Sequence, residues 1–163
     1  MLRTLLISIF TLSLVSPAFS AQPASQQSSM FFGVKGGFMK PDGDNNDSAL
    51  NIGAVIGQPV SRDFSWEAEL NFSVADGEVG PDNNWDINNI AGYAVYRSPG
   101  DIGFKAKAGL TYFDTHTNND SGTSLSMGIG AGFKMGKSGM LDVEYTQVND
   151  HVDYISVGYL FHF

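Results

Sequence analysis

The chain has 163 residues, and a cleaved leader of 20 would leave 143, enough for one domain. It contains no cysteine, which excludes disulfides, thiolate metal sites and thiol nucleophiles. The formal charge of −8, or −9 once Arg3 leaves with the leader, argues against nucleic acid as a partner, and no uncharged apolar run reaches the ~18 residues of a membrane-spanning helix.

Residues 1–20 read as a signal peptide. Arg3 supplies the positive start, Leu5 to Val15 the apolar core, and Ala18-Phe19-Ser20 the small-x-small pattern before cleavage. As a helix that core reaches about 16 Å, roughly half a bilayer's hydrocarbon, so the reading is a leader and not an anchor. Residues 21–29 follow as a polar, flexible periplasmic arm with nothing to bury, and 30–163 form the folded domain.

From Met30 onward, stretches of about ten residues with every second one apolar alternate with polar breaks. The first sets Phe32, Val34, Gly36 and Phe38 on one face with Lys35 on the other, and the second sets Leu50, Ile52, Ala54 and Ile56 against Asn51, Gly53, Val55 and Gly57. In the third, Phe64, Trp66, Ala68, Leu70, Phe72 and Val74 alternate with Ser65, Glu67, Glu69, Asn71 and Ser73. The fourth, Trp85 to Arg97, is ambiguous in phase, and Ile87, Ala91, Tyr93 and Val95 are taken as its apolar face. The fifth runs Ile102, Phe104, Ala106, Ala108, Leu110 and Tyr112 against Gly103, Lys105, Lys107, Gly109 and Thr111. The sixth runs Leu125, Met127, Ile129, Ala131, Phe133 and Met135 against small residues and Lys134. The seventh alternates Leu141, Val143 and Tyr145 with Asp142, Glu144 and Thr146, and the eighth carries Ile155, Val157, Tyr159, Phe161 and Phe163. A period of two places each set on one side of a strand.

The breaks alternate in length. Those after the second, fourth and sixth segments are tight and rich in Pro and Gly: residues 58–63, 98–101 and 136–139. The others are acidic and generally longer, at Pro41 to Ala49, Asp76 to Asn84 and Asp114 to Thr123, with a short one at Asn149 to Asp153. Short turns on the periplasmic side and longer loops outside are the habit of transmembrane barrels, so both chain ends fall on the periplasmic side. The expected fold is all-β: an eight-stranded antiparallel up-and-down transmembrane barrel behind a cleaved signal peptide.

A soluble, lipocalin-like barrel has the same period with its apolar face inward. Two features favour the opposite polarity. The polar faces carry Lys35, Lys105, Lys107 and Lys134 against Glu67, Glu69, Asp142 and Glu144, a balanced set suited to a narrow lumen where an unpaired charge is costly. These charges also alternate with Gly, Ser, Thr and Asn, small enough to fit inside eight strands, and the chain is only 16% charged. Trp66, Trp85, Tyr112, Tyr154 and Tyr159 are read as interfacial aromatic girdles.

The terminal run Tyr159-Leu160-Phe161-His162-Phe163 resembles the last strand of bacterial outer-membrane barrels, in which the terminal aromatic is read by the barrel-assembly machinery. Ala94 to Pro99, Gly128 to Phe133 and Leu141 to Tyr145 are similar to strands and turns of the small OmpA/OmpX/Ail-type barrels. The resemblance covers about residues 30–163. It implies the outer membrane of a Gram-negative bacterium, contact with lipid and lipopolysaccharide, and Tyr159, Phe161 and Phe163 as the assembly signal. OmpX- and Ail-like relatives act in adhesion and serum resistance through outward loops; the loops here are too short for a large protein-binding platform. No peptidoglycan-binding domain is expected after Phe163.

The outer breaks hold Asp42, Asp44, Asp47, Asp76, Glu78, Asp82, Asp86, Asp114, Asp120, Asp150 and Asp153, opposed nearby by Lys40. Asp42, Asp44 and Asp47 are weak candidates for a divalent cation, because the Gly falls at the wrong place for a calcium loop and no closing Glu follows. Some eight-stranded barrels modify lipid A, and His116, Asp120, Ser121 and His151 lie in outer breaks. Yet His116 is followed by Thr117, Asn118 and Asn119 and not by the serine of a deacylase pairing, and loop histidines are commonly just solvated. His162 reads as lumen filling, and Gly128 to Gly132 lacks the helix of a phosphate loop. No catalytic residue, cofactor or resident metal is therefore expected. The expected role is structural or surface-interacting for a monomer, with a narrow pore for ions or small solutes as the alternative.

Overall fold

The computed structural model describes residues 30–43, 46–78, 84–115 and 120–163. The leader, the arm, Asp44, Asp82 and His116 lie outside them, as does the side chain of Asp120. The strands are β1 (Phe31–Pro41), β2 (Ala49–Pro59), β3 (Phe64–Ala75), β4 (Gly77–Glu78), β5 (Asn84–Trp85), β6 (Ile87–Arg97), β7 (Ile102–Thr115), β8 (Asp120–Met135), β9 (Gly139–Asn149) and β10 (Val152–His162). Eight of them, β1, β2, β3 and β6 to β10, close into one antiparallel barrel, and β4 and β5 form a small ladder in the second outer break. Closure is made by β1 on β10, in register from Phe31 opposite His162 to Pro41 opposite Val152, so the barrel has no open edge.

Outside the fourth segment, the strands alternate in the phase their sequence predicts. Phe104, Leu125 and Ile129 are 77%, 73% and 66% exposed, whereas Glu67 and Glu69 are 1% and 2% exposed. An apolar outside around a charged inside is stable only where the outside meets hydrocarbon, which rules out the lipocalin-like polarity.

The fourth segment corrects the expected phase. Residues opposed across an antiparallel ladder share a face. On β6, Ala91 lies opposite Glu69 and Tyr93 opposite Glu67, while Ile90 lies opposite Leu70. Ile87, Ala91, Tyr93 and Val95 are therefore buried in the lumen, and Ile90 and Tyr96 face out. The third outer break is also mostly strand. β7 and β8 have 14 and 16 residues, more than the 9–11 of a tilted crossing, and pair as far as Thr115 opposite Asp120, so this hairpin projects beyond the membrane.

Gly100 and Gly136 sit in two of the short turns with φ of 135° and 77°, the left-handed region that glycine enters without strain. The lumen they help close is layered. At the outer end Met39, Ala49, Trp85, Ile87, Val148, Val152 and Tyr154 pack into an apolar cap, with Phe113 against it. Trp85 and Tyr154 thus leave the expected girdle for the interior, while Trp66 and Tyr112 stay exposed on the outer face. At the opposite end, beside the short turns, Phe31, Val55 and Leu160 form a second apolar cluster with Met140.

Candidate functional site: the ion-paired lumen

Between the two apolar clusters lies a network of four acids and four bases. The ammonium of Lys35 donates to Glu69 at 2.6 Å and lies 3.7 Å from Glu144. Lys107 donates to Glu69 at 2.6 Å and to Glu144 at 2.7 Å. Lys105 joins Glu67 at 2.7 Å and Asp142 at 3.4 Å, and also bonds Glu144. Arg97 completes the set, 2.8 Å from both Glu67 and Asp142. Each charge has at least two opposite neighbours, the condition under which buried ions offset their lost hydration. Lys107 also lies 4.4 Å above the ring of Tyr93, and Lys35 lies 5.1 Å from that of Tyr154.

Seven of the eight expected lumen charges are in this network: Lys35, Glu67, Glu69, Lys105, Lys107, Asp142 and Glu144. Lys134 is not. Its side chain is half exposed and its nearest carboxylate, Asp101, is 3.9 Å away in solvent. Lys134 has the inward parity of Gly132 but stands one residue before the end of β8, where the lumen opens, so it reaches water. Arg97, which the phase chosen for β6 had turned away from the lumen, takes its place and keeps the charges balanced.

Room for the network comes from β8. A side-chain carbon added at Gly128 would lie 3.0 Å from the Lys107 Cε, at Gly130 3.1 Å from the Glu144 Cγ, and at Gly132 2.8 Å from Asp142 Oδ1. The glycine run is therefore space for the neighbours' long side chains, as its period suggests. Above the ions, Asn51 donates to the Ile87 carbonyl at 3.0 Å, Asn89 to Thr111 at 3.1 Å, and Tyr93 shares a 2.9 Å hydrogen bond with Ser126.

Carboxylate oxygens of Glu67, Glu69 and Glu144 approach within 4.8 Å of one another, a spacing that suits a metal ion. Here the ammonium groups of Lys105 and Lys107 already bond these carboxylates, and a dication would meet them as like charges. The outer candidates are looser. Asp42 donates its amide to the His151 carbonyl and holds a carboxylate oxygen 3.7 Å from that imidazole, and the amide of Asp47 donates to the Glu78 carbonyl. Ser121 is exposed on β8 opposite Asp114. At the carboxyl end, Tyr159 and Phe161 meet edge to face at 4.7 Å, and the amide of Phe163 donates to Met30.

Solved structures share this architecture. Neisserial surface protein A is 14% identical, with 82% of this chain covering 97% of that one at a TM-score of 0.61. The attachment invasion locus protein Ail of Yersinia pestis is 19% identical, with coverages of 83% and 97% and a TM-score of 0.51. The outer membrane enzyme PagL is 16% identical, with coverages of 80% and 98% and a TM-score of 0.52. A surface protein, an attachment protein and an enzyme on one scaffold, at such identities, show the fold alone. No curated protein matches the chain. Residues 11–163 match the outer membrane protein beta-barrel domain, and the chain belongs to that family.

Proposed function

We propose that this outer-membrane barrel is a closed, non-catalytic protein with a structural or surface-interaction role. The observation that carries the reading is the filled lumen: an apolar cap, a fully paired ionic layer and a second apolar cluster stacked along one axis. An eight-stranded interior is just wide enough for its own side chains, and these occupy it. Interaction then falls to the outer rim, where Asp42, Asp47, Glu78, Asp114 and Asp153 outnumber Lys40. Against anionic lipopolysaccharide such a rim calls for bridging divalent cations. Export by the amino-terminal leader and recognition of Tyr159, Phe161 and Phe163 by the assembly machinery complete the proposal.

Planar-bilayer recording tests it. The purified barrel should give no sustained single-channel steps. Sustained steps that Glu67→Ala or Lys105→Ala abolishes would replace this reading with that of a narrow pore.

A further inference from the structure

The periplasmic mouth differs from the rest of the surface. A cavity of about 280 Å³ opens there among the ends of β2, β6, β8 and β10, with Arg62, Arg97, Lys134 and His162 on its walls. No carboxylate is among its described lining residues; the other walls come from the turn Ser98-Pro99-Gly100, from Pro59, Gly103 and Gly132, and from Met140. A smaller cavity of about 70 Å³ shares Pro59, Arg62, Arg97 and His162 with it and has Asp63 among its lining residues.

Two cations at this mouth, Arg62 and Lys134, stand outside the ion-paired lumen, at an end that also holds Asp63 and Asp101. Arg62 makes no ion pair among the described residues, so its planar fork of donors is uncommitted to a carboxylate. Lys134 has only the 3.9 Å approach of Asp101, itself 96% exposed, a surface pair of little energetic weight. Arg97 lies behind them as the most exposed member of the lumen network, its side chain 18% exposed and its charge already met by Glu67 and Asp142. Low-dielectric walls concentrate the field of such charges at a concave mouth.

We propose that the periplasmic mouth is an oxyanion site that takes a phosphate group, with Arg62 as the bidentate donor, Lys134 as a point charge and Arg97 behind them. Arginine's fork matches the geometry of phosphate oxygens, and lysine adds charge without directional demand. At about 30 Å³ per water the cavity holds a phosphate and part of its hydration shell. Two sources share this chemistry at the periplasmic face: the headgroup of an anionic inner-leaflet phospholipid and soluble phosphate.

The test is an amide NMR titration of the intact barrel. In zwitterionic detergent, inorganic phosphate should shift Gly100, Gly103 and Gly132 saturably while leaving Gly92, on the lipid face, in place, with chloride at equal ionic strength as control. The Arg62→Gln, Lys134→Gln double variant should bind at least about tenfold more weakly, the loss expected for a charge-assisted contact. Both substituted residues stand at the rim, and the gel mobility shift on boiling checks that the variant still folds. A second arm uses phosphatidylcholine nanodiscs with or without phosphatidylglycerol, in buffer free of inorganic phosphate. Shifts induced by phosphatidylglycerol assign the site to a headgroup, and shifts seen with free phosphate alone assign it to a soluble anion. No saturable shift in either arm, or a shift undiminished in the double variant, overturns the proposal.

Discussion

Arg97 and Asp142 face each other across the lumen from β6 and β9, joined by two parallel hydrogen bonds of 3.0 and 2.8 Å. The same guanidinium donates to Glu67 at 2.8 Å, so one side chain ties together three strands that are not all neighbours in the barrel. Such a fork is worth more than a point charge, because its two bonds fix direction as well as distance. Arg97→Lys should therefore lower stability by about 1–3 kcal/mol although the charge is kept. In a double-mutant cycle with Asp142→Asn, unfolding in urea should give a coupling of about 0.5–3 kcal/mol. A cycle that closes without coupling would mean that the two residues do not act as a pair.

Glu144 supports more of the network than any other acid, being the shared partner of Lys35, Lys105 and Lys107. Replacing it with Gln leaves three buried ammonium groups short of one charge, and stability should fall by about 3–5 kcal/mol. Lys134→Gln removes a solvated lysine and should stay within about 0.5 kcal/mol of the parent. Urea refolding into detergent micelles, read by the boiling-dependent gel shift, measures both. Equal losses would return Lys134 to the lumen.

The contrast between Lys134 and Arg97 marks where sequence reading stops. Period-two alternation tells which side of a strand a residue occupies, and on β3, β7 and β9 Glu67, Glu69, Lys105, Lys107, Asp142 and Glu144 share the buried side. It carries no information about depth along the axis, so Lys134 and Lys105 looked alike although one stands at the mouth. On β6 both faces are apolar, because Ile87, Tyr93 and Val95 fill the lumen while Ile90 and Tyr96 meet lipid. Hydrophobicity alone could not choose between them. Arg97 was the available signal: it has the parity of Tyr93 and Val95, and an arginine beside hydrocarbon is costly enough to turn that face inward. The apolar cap was illegible for another reason: Trp85, which reads as the first residue of the fourth segment, belongs to the separate β4–β5 ladder, and no strand period announces its packing against Met39 and Val148.

The glycines of β8 give a steric prediction. At Gly130 a side-chain carbon would lie 2.5 Å from the Val143 carbonyl oxygen and 3.1 Å from Glu144 Cγ, so Gly130→Val must displace either the ladder or the ion network. The expected loss is about 1–3 kcal/mol or more, with failure to refold as its extreme. Gly92 meets nothing within 4 Å on the lipid face, and its backbone lies outside the left-handed region. Gly92→Ala should be neutral or stabilise by up to about 1 kcal/mol, chiefly by restricting the unfolded chain. Comparable destabilisation at both positions would show that backbone propensity, and not lumen space, governs these sites.

The outer cap separates stability from closure. Trp85 is buried among Met39, Ala49, Ile87, Val148 and Val152, and Trp85→Ala should cost about 3–5 kcal/mol through lost transfer energy and the hollow left behind. Beneath the cap, the paired ions still close a ring round the lumen, from Lys35 on β1 to Glu69 on β3, Lys107 on β7 and Glu144 on β9, and their mutual attraction does not depend on the indole. The variant should therefore unfold at lower urea yet remain non-conducting in planar bilayers. Removing the ionic layer instead, by combining Glu69→Ala with Lys107→Ala, deletes a joined pair of long side chains while leaving Trp85 in place. If Trp85→Ala alone produced conductance, the cap would be the barrier and the ionic layer a permeable lining. If it does not, and the Glu69→Ala, Lys107→Ala variant conducts, the seal belongs to the ions, and the cap serves to hold the outer ends of β1, β2, β6, β9 and β10 together.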